Sequence, residues 1–197
     1  MSNEFFAMMS RMKYIDRWAL MRNSRVENVC EHSLEVAIIA HALGVIAKVR
    51  LHKEVDANRL ALLAMYHDAT EIITGDMPTP IKYYNNELKN AFKEVESMAA
   101  NRLLSFLPED LKKEYEPILL EQEEDAYLWK LVKAADKISA YIKCVEERKA
   151  GNLEFVSAER SIYQAIETMK MEEVQIFLTE FAGAFDKTLD ELNALPN

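Results

Sequence analysis

Glycine and proline are scarce, at four and five in 197 residues, and that scarcity favours helix over sheet. Cysteine is scarcer still. The two present, Cys30 and Cys144, are too few and too scattered for a disulfide framework, and a reducing cytoplasm suits them. Surplus positive charge is missing: the formal net charge is −9. That argues against a broad grip on a nucleic acid polymer, which depends on many Lys and Arg neutralising phosphates. Any anionic substrate must then be small and locally held. The N-terminal stretch NEFFAMMSRMKYIDRW is broken by charges. No early apolar run comes near the roughly 20 residues a membrane span needs, so the expectation is a soluble, cytoplasmic chain with no membrane partner.

What is present is helix-forming. Half the residues are hydrophobic, with abundant Ala, Leu, Glu, Lys and Met, and the expected fold is all-α, a single domain over residues 1–197. Residues 4–15 read as a short amphipathic helix, followed by an irregular loop, RWALMRNSRVENV. From about Glu31 to Val49, Leu34, Ile38, His41, Ala42 and Val45 recur at helical spacing and predict a buried helix with that stripe inward. A second helix is expected from about Asp56 to Thr74. The stretch TGDMPTPIKYY, with Gly75, Pro78 and Pro80, predicts an ordered loop. Further helices are expected over about 85–107, 108–120 and 126–149. The acidic EQEEDA reads as a solvated turn between the last two. Ile162, Ile166, Met169, Phe177, Phe181 and Phe185 then keep a helical rhythm over about 157–192 as core or subunit interface. No repeat, low-complexity tract or linker interrupts the chain.

Chemistry concentrates in the segment LALLAMYHDATEII. Adjacent His67 and Asp68 in an apolar run need an explanation, because burying an imidazole and a carboxylate without partners costs several kcal/mol. By itself a His–Asp dipeptide is an ordinary surface or capping pair. Taken with His32 upstream and Asp136 downstream, each on its own predicted helix, it reads as the ligand set of a divalent transition metal. Such a metal can lower the pKa of water toward about 7 and so provide a nucleophile at neutral pH. Glu71, one turn beyond His67, and Asp76, opening the Pro-rich loop, are the candidates for proton transfer. Arg17 offers a planar fork for a phosphate, and Trp18 a flat wall for a sugar or base. Arg25 and Lys82 are weaker versions of Arg17. His41 reads as a core histidine and His52 as a solvent-exposed turn residue, and neither joins the ligand list.

The order His32, His67-Asp68, Asp136 resembles the HD-domain metal-dependent phosphohydrolase pattern. More narrowly, RWALMRNSRVENVCEHSLEVA, LLAMYHDATEIITGDMPTPIKYYN and VKAADKISAYIKCVEE are similar to the bacterial HD-domain 5'-deoxynucleotidases, and no ligand position departs from the pattern. The resemblance implies an HD-domain helical bundle, a homodimer, cobalt or manganese as the metal, and hydrolysis of deoxyribonucleoside 5'-monophosphates with little regard for the base. It also implies that His32, His67, Asp68 and Asp136 bind the metal, with His32, Asp68 and Asp136 also facing substrate. Arg17 would orient the phosphate and serve catalysis with Glu71 and Asp76. Trp18, Asp76, Met77, Pro78 and Thr79 would line the nucleotide pocket, with Trp18 excluding a 2'-hydroxyl. The rival readings are another HD phosphohydrolase, acting on a cyclic nucleotide, a nucleoside triphosphate or an alarmone, and a nucleotide-sensing module without catalysis.

Overall fold

A computed structural model describes residues 3–82 and 84–194, with Thr79 and Pro80 as backbone only. Helices dominate the described residues, and the longest stretch between them without helix runs over residues 15–28. The α-helices are α1 (Phe5–Met9), α2 (Val29–Arg50), α3 (Ala57–Tyr66), α4 (Glu71–Thr74), α5 (Thr79–Lys82) and α6 (Asn86–Leu104). The rest are α7 (Glu109–Leu119), α8 (Ala126–Lys149), α9 (Val156–Thr168), α10 (Glu172–Glu180) and α11 (Leu189–Asn193). Among the described residues the one β-type pairing outside helices is an isolated antiparallel bridge between Asp16 and Asn28. The fold is all-α, as the composition predicts.

Capping chemistry sets the helix starts. The Asn28 side chain accepts from the Glu31 N–H at 3.0 Å and opens α2. Asp56 accepts from the Asn58 and Arg59 N–H groups and opens α3, and Asn85 accepts from Leu88 and opens α6. Each satisfies backbone donors that the first turn leaves unpaired. The main core lies between α2, α3, α8, α9 and α10, around Leu43, Leu60, Leu63, Leu131, Ile138, Ile142 and Ile166. A second cluster seats Phe5 of α1 against Ala69, Leu103, Leu104 and Leu107, beneath the turn that follows α3. Gly44 lets α2 and α3 approach closely, since a Cβ there would stand 2.9 Å from the Ala57 Cβ.

The structure corrects several sequence expectations. On α2 the stripe expected inward faces out: Leu34, Ile38 and Val45 are 58%, 63% and 40% exposed, and His41 is exposed rather than core. The buried face carries His32, Val36, Ile39, Ala40, Leu43 and Ile46. A helix apolar nearly all round offers two acceptable stripes, and periodicity cannot choose between them. For the same reason α2, at 22 residues, is long and apolar enough to cross a membrane by length and composition, contrary to expectation. Much of it is instead buried within the protein, as a core helix is.

The helix expected over 56–74 breaks into α3, a turn at residues 67–70, and α4. The Ala69 N–H bonds to Tyr66 O at 3.0 Å and the Glu71 N–H to Asp68 O at 3.0 Å, a tighter i→i+3 pattern. Such interruptions recur at functional positions. The loop after Gly75 contains the short helix α5, begun by Pro78, whose carbonyl accepts from Ile81 and Lys82. The helical rhythm expected over 157–192 is divided between α9 and α10 near Lys170, where φ is +51°, with Ile166 and Phe177 buried in the core and Phe181 exposed. In the acidic stretch Asp125 is buried and paired with Arg59 at 2.8 Å rather than solvated.

Candidate functional site

Three elements bring the predicted ligands together. His32 lies in the first turn of α2, buried, and His67 and Asp68 occupy the turn between α3 and α4. Asp136 is on α8. Ligand atoms of His32, His67 and Asp68 all lie within 4.8 Å of one another. His32 Nε2 stands 3.2 Å from Asp136 Oδ1 and 3.6 Å from Asp68 Oδ2, and His67 Nε2 stands 3.1 Å from Asp68 Oδ2.

The far nitrogen of each ring is already committed. His67 Nδ1 lies 2.7 Å from the Ala64 carbonyl, an acceptor only, so Nδ1 carries the hydrogen. His32 Nδ1 lies 3.0 Å from Ser139 Oγ, whose own hydrogen goes to Glu35 at 2.5 Å, so this Nδ1 also donates. In the neutral rings both Nε2 atoms then carry lone pairs, and both are buried without a hydrogen-bond partner among the described residues. Two imidazole lone pairs turned toward carboxylates, with the opposite nitrogens tied off, form the donor set of a bound cation. The residues present therefore fit a divalent metal.

The electrostatics agree. Burial pushes the Asp68 carboxyl up, but His67, His32 and Arg17 outweigh it and hold Asp68 far below the carboxylate range. Burial pulls the His67 imidazole down, and Asp68 with Asp136 outweigh that and hold it above its ordinary value. Asp68 and Asp136 thus favour positive charge at His67, whereas burial, helped by Arg17, holds the His32 imidazole of the cluster below its ordinary value. Glu71, beside the cluster, behaves oppositely to Asp68: burial, with anionic Asp68 and Asp76, pushes its carboxyl up to about 10, and its Oε2 is buried without a hydrogen-bond partner among the described residues. Burial likewise raises Asp76, against the pull of Arg17 and the Trp18 backbone N–H.

Arg17 reaches the same cluster, with Nη1 3.6 Å from Asp68 Oδ2 and Nε 3.2 Å from Glu27 Oε2. Trp18 adopts φ +59°, a strained conformation for a large side chain. Its Nε1–H donates to the same Glu27 Oε2 at 3.1 Å, and its ring lies 5.3 Å from that of Phe155. Glu27 therefore positions both residues, and no sequence signal marked it. Ser139 and Glu35 were also missed as partners of His32. A serine one turn beyond Asp136, on a stripe otherwise apolar, was the available clue for the first.

Met77 and Pro78 are half-buried on the loop after α4, and the Thr79 side chain lies outside the described residues. Lys82 pairs with Glu96 at 2.7 Å and adds positive charge near Glu71. Exposed Arg25 pairs with Glu31 instead. His52 is exposed, as expected.

Residues 4–185 match the family model described as 5'-deoxynucleotidase YfbR-like. The chain belongs to this family. Among its relatives, a 5'-deoxynucleotidase of Vibrio cholerae serotype O1 is 46% identical over 191 residues, covering 97% of this chain and 98% of its own. The 5'-deoxynucleotidase yfbR of Photorhabdus temperata is also 46% identical, with 97% of each chain covered. Among solved structures, an HD-domain phosphohydrolase from Listeria innocua superposes with a TM-score of 0.79 at 27% identity, covering 92% of this chain and 88% of that one. The fold is shared too with a cyanophage S-2L HD phosphohydrolase bound to dA and one catalytic Zn2+ ion, with a TM-score of 0.63 at 22% identity, covering 92% of this chain and 96% of that one. The YfbR-like match takes in every ligand candidate as well as Arg17, Trp18, Glu71 and Asp76.

Proposed function

We propose that this protein hydrolyses deoxyribonucleoside 5'-monophosphates to deoxynucleoside and phosphate. One divalent transition metal, manganese or cobalt, would be held by His32, His67, Asp68 and Asp136. The observation that carries the reading is the pair of buried, unpartnered Nε2 atoms facing Asp68. The metal would supply a polarised water and charge neutralisation at the phosphate. Water attacks phosphorus in line, the bond from phosphorus to the 5'-oxygen breaks, and a proton passes to the departing oxygen. Arg17 grips the non-bridging oxygens, and Glu27 fixes its direction. Glu71 and Asp76 both keep a proton to higher pH than an ordinary carboxyl, as a group must if it is to protonate a leaving oxygen near neutrality. Trp18, with Met77, Pro78 and Thr79, lines the nucleoside side.

Phosphate release from a panel of deoxyribo- and ribonucleoside 5'-monophosphates, with manganese or cobalt and His67→Ala protein as the blank, tests this reading. Metal-dependent release from the deoxy substrates alone supports it. Release only from a cyclic nucleotide, a triphosphate or an alarmone, or binding of nucleotide with no release at all, overturns it.

The same reading includes a cytoplasmic homodimer. The outward stripe of Leu34, Ile38, Val45 and Val49 on α2 is apolar surface that a second copy would cover. Sedimentation of Ile38→Lys protein is expected to show monomer, and an unchanged dimer would move the interface elsewhere.

A further inference from the structure

His32 is held by a hydrogen-bond chain that crosses from α2 to α8 and back. Its Nδ1 lies 3.0 Å from Ser139 Oγ, and that hydroxyl donates to Glu35 Oε2 at 2.5 Å. Ser139 is fully buried, and Glu35, one turn along α2 from His32, is half-buried. The outer side of Glu35 lines a cavity of about 100 Å³ together with Glu27, Glu146 and Lys143. The carboxylate is thus reached from a polar space, whereas the hydroxyl is sealed in the core.

A hydroxyl has one hydrogen to give. Once Glu35 takes it, Ser139 can offer His32 only a lone pair, and the imidazole must place its hydrogen on Nδ1. Without Glu35 the hydroxyl is free to rotate and donate to Nδ1, which puts the hydrogen on Nε2, aimed at Asp136 and Asp68. A ring in that tautomer cannot ligate through Nε2. We infer that Ser139 and Glu35 are positioning residues that set the tautomer and orientation of His32 and so the affinity of the cluster for its metal. The inference rests on the metal-binding reading above. It assigns a task to two polar residues which that reading leaves unused. Partners of this kind are generally worth about 10- to 100-fold in metal affinity.

The test is the affinity of the full-length protein for manganese(II), measured by competition with a chromophoric chelator. Ser139→Ala and Glu35→Leu are each expected to weaken binding about 10- to 100-fold, with far-UV circular dichroism unchanged. The double variant is expected to be no weaker than Ser139→Ala alone, because both changes break one chain. Ser33→Ala is the packing control: its hydroxyl is buried beside His32 and has no hydrogen-bond partner among the described residues, so affinity should stay at the wild-type value. Rescue is expected in Ser139→Thr, which keeps the hydroxyl. Ser139→Ala protein that binds manganese as wild type does, or that loses no more than Ser33→Ala, overturns the chain while leaving the metal site standing. Wild-type protein that takes up no manganese or cobalt overturns the metal reading, and the chain's role falls with it.

Discussion

The ligand cluster and the loop of residues 15–28 meet at Asp68, yet they are held by different physics. His32, His67, Asp68 and Asp136 stand on helices, or on the turn joining two, whose backs fill the apolar core. Arg17, Trp18 and Glu27 stand on an irregular loop held by polar contacts. The Asp16–Asn28 bridge closes its neck, and Arg17 N donates to Glu27 O at 2.9 Å. Its far limb is clamped from α8: Lys143 Nζ donates to Arg25 O at 2.6 Å, and Glu147 accepts from Ser24 N at 2.8 Å and from Asn152. Lys143 and Glu147 form a buried ion pair with each other. Packing therefore places the proposed metal side, and a buried charge network places the proposed substrate side. The two sides should fail separately.

The sharpest separation uses the ligands. His67→Ala and Asp136→Ala are each expected to lose bound metal with the fold retained, and Asp136→Ala to release no more phosphate than the His67→Ala blank; full activity in metal-free Asp136→Ala protein would sink the metal assignment. Arg17→Ala should keep the metal and lose about 10²- to 10³-fold in turnover, the usual loss for one preorganised donor at a developing charge. Loss of metal in that variant would mean that the two regions are one unit.

Glu71 lies between the regions and gives a pH signature. Its folded value, about 10 against an ordinary 4.5, is raised, so the native state keeps a proton that the unfolded chain releases. The resulting stability is complete below about pH 4.5 and is lost as pH climbs toward about 10. Chelator-treated wild-type protein should therefore lose Tm between pH 5 and 9 more steeply than Glu71→Gln protein. Parallel curves would place the Glu71 carboxyl in an ordinary environment. The same substitution should cost about 10²- to 10⁴-fold in turnover if Glu71 transfers the proton.

Far more of the metal side than of the loop was legible in the sequence. A His–Asp pair in an apolar run is costly without a partner, and that cost is visible in one dimension. The starts of α3 and α6 fall next to the expected Asp56 and Asn85, whose side chains cap them, while α2 starts at Val29 rather than at the expected Glu31. The inward face of α2 was not legible, since Leu34 and Ile38 are as apolar as Val36 and Ile39, and only the packing of α3 and α8 decides between them. The break at residues 67–70 was hidden for a related reason: the run reads as helix throughout, and the turn comes from tertiary context. Glu27 and Glu147 look like any surface glutamate in sequence. Glu27 holds Arg17 and Trp18, and Glu147, besides its neighbours Lys143 and Asn152, reaches Ser24 of the loop 123 positions away.

The clamp and the loop it holds give the smallest effects on turnover. Lys143→Met leaves Glu147 as a buried carboxylate without its cation, a change worth about 3–5 kcal/mol in stability. Metal affinity should hold while KM rises, because only the loop loosens. Trp18→Ala removes a wall and one donor to Glu27 but leaves Glu27 paired with Arg17, so kcat on deoxy substrates should change little. The deoxy to ribo preference should fall by about 10-fold, the scale of a single steric contact. An unchanged ratio would take Trp18 out of sugar selection and leave its strained backbone to be explained by Asp76, whose carboxyl the Trp18 N–H contacts. In that case Trp18→Ala should instead alter the pH dependence of turnover, since the N–H position would move and the Asp76 proton with it.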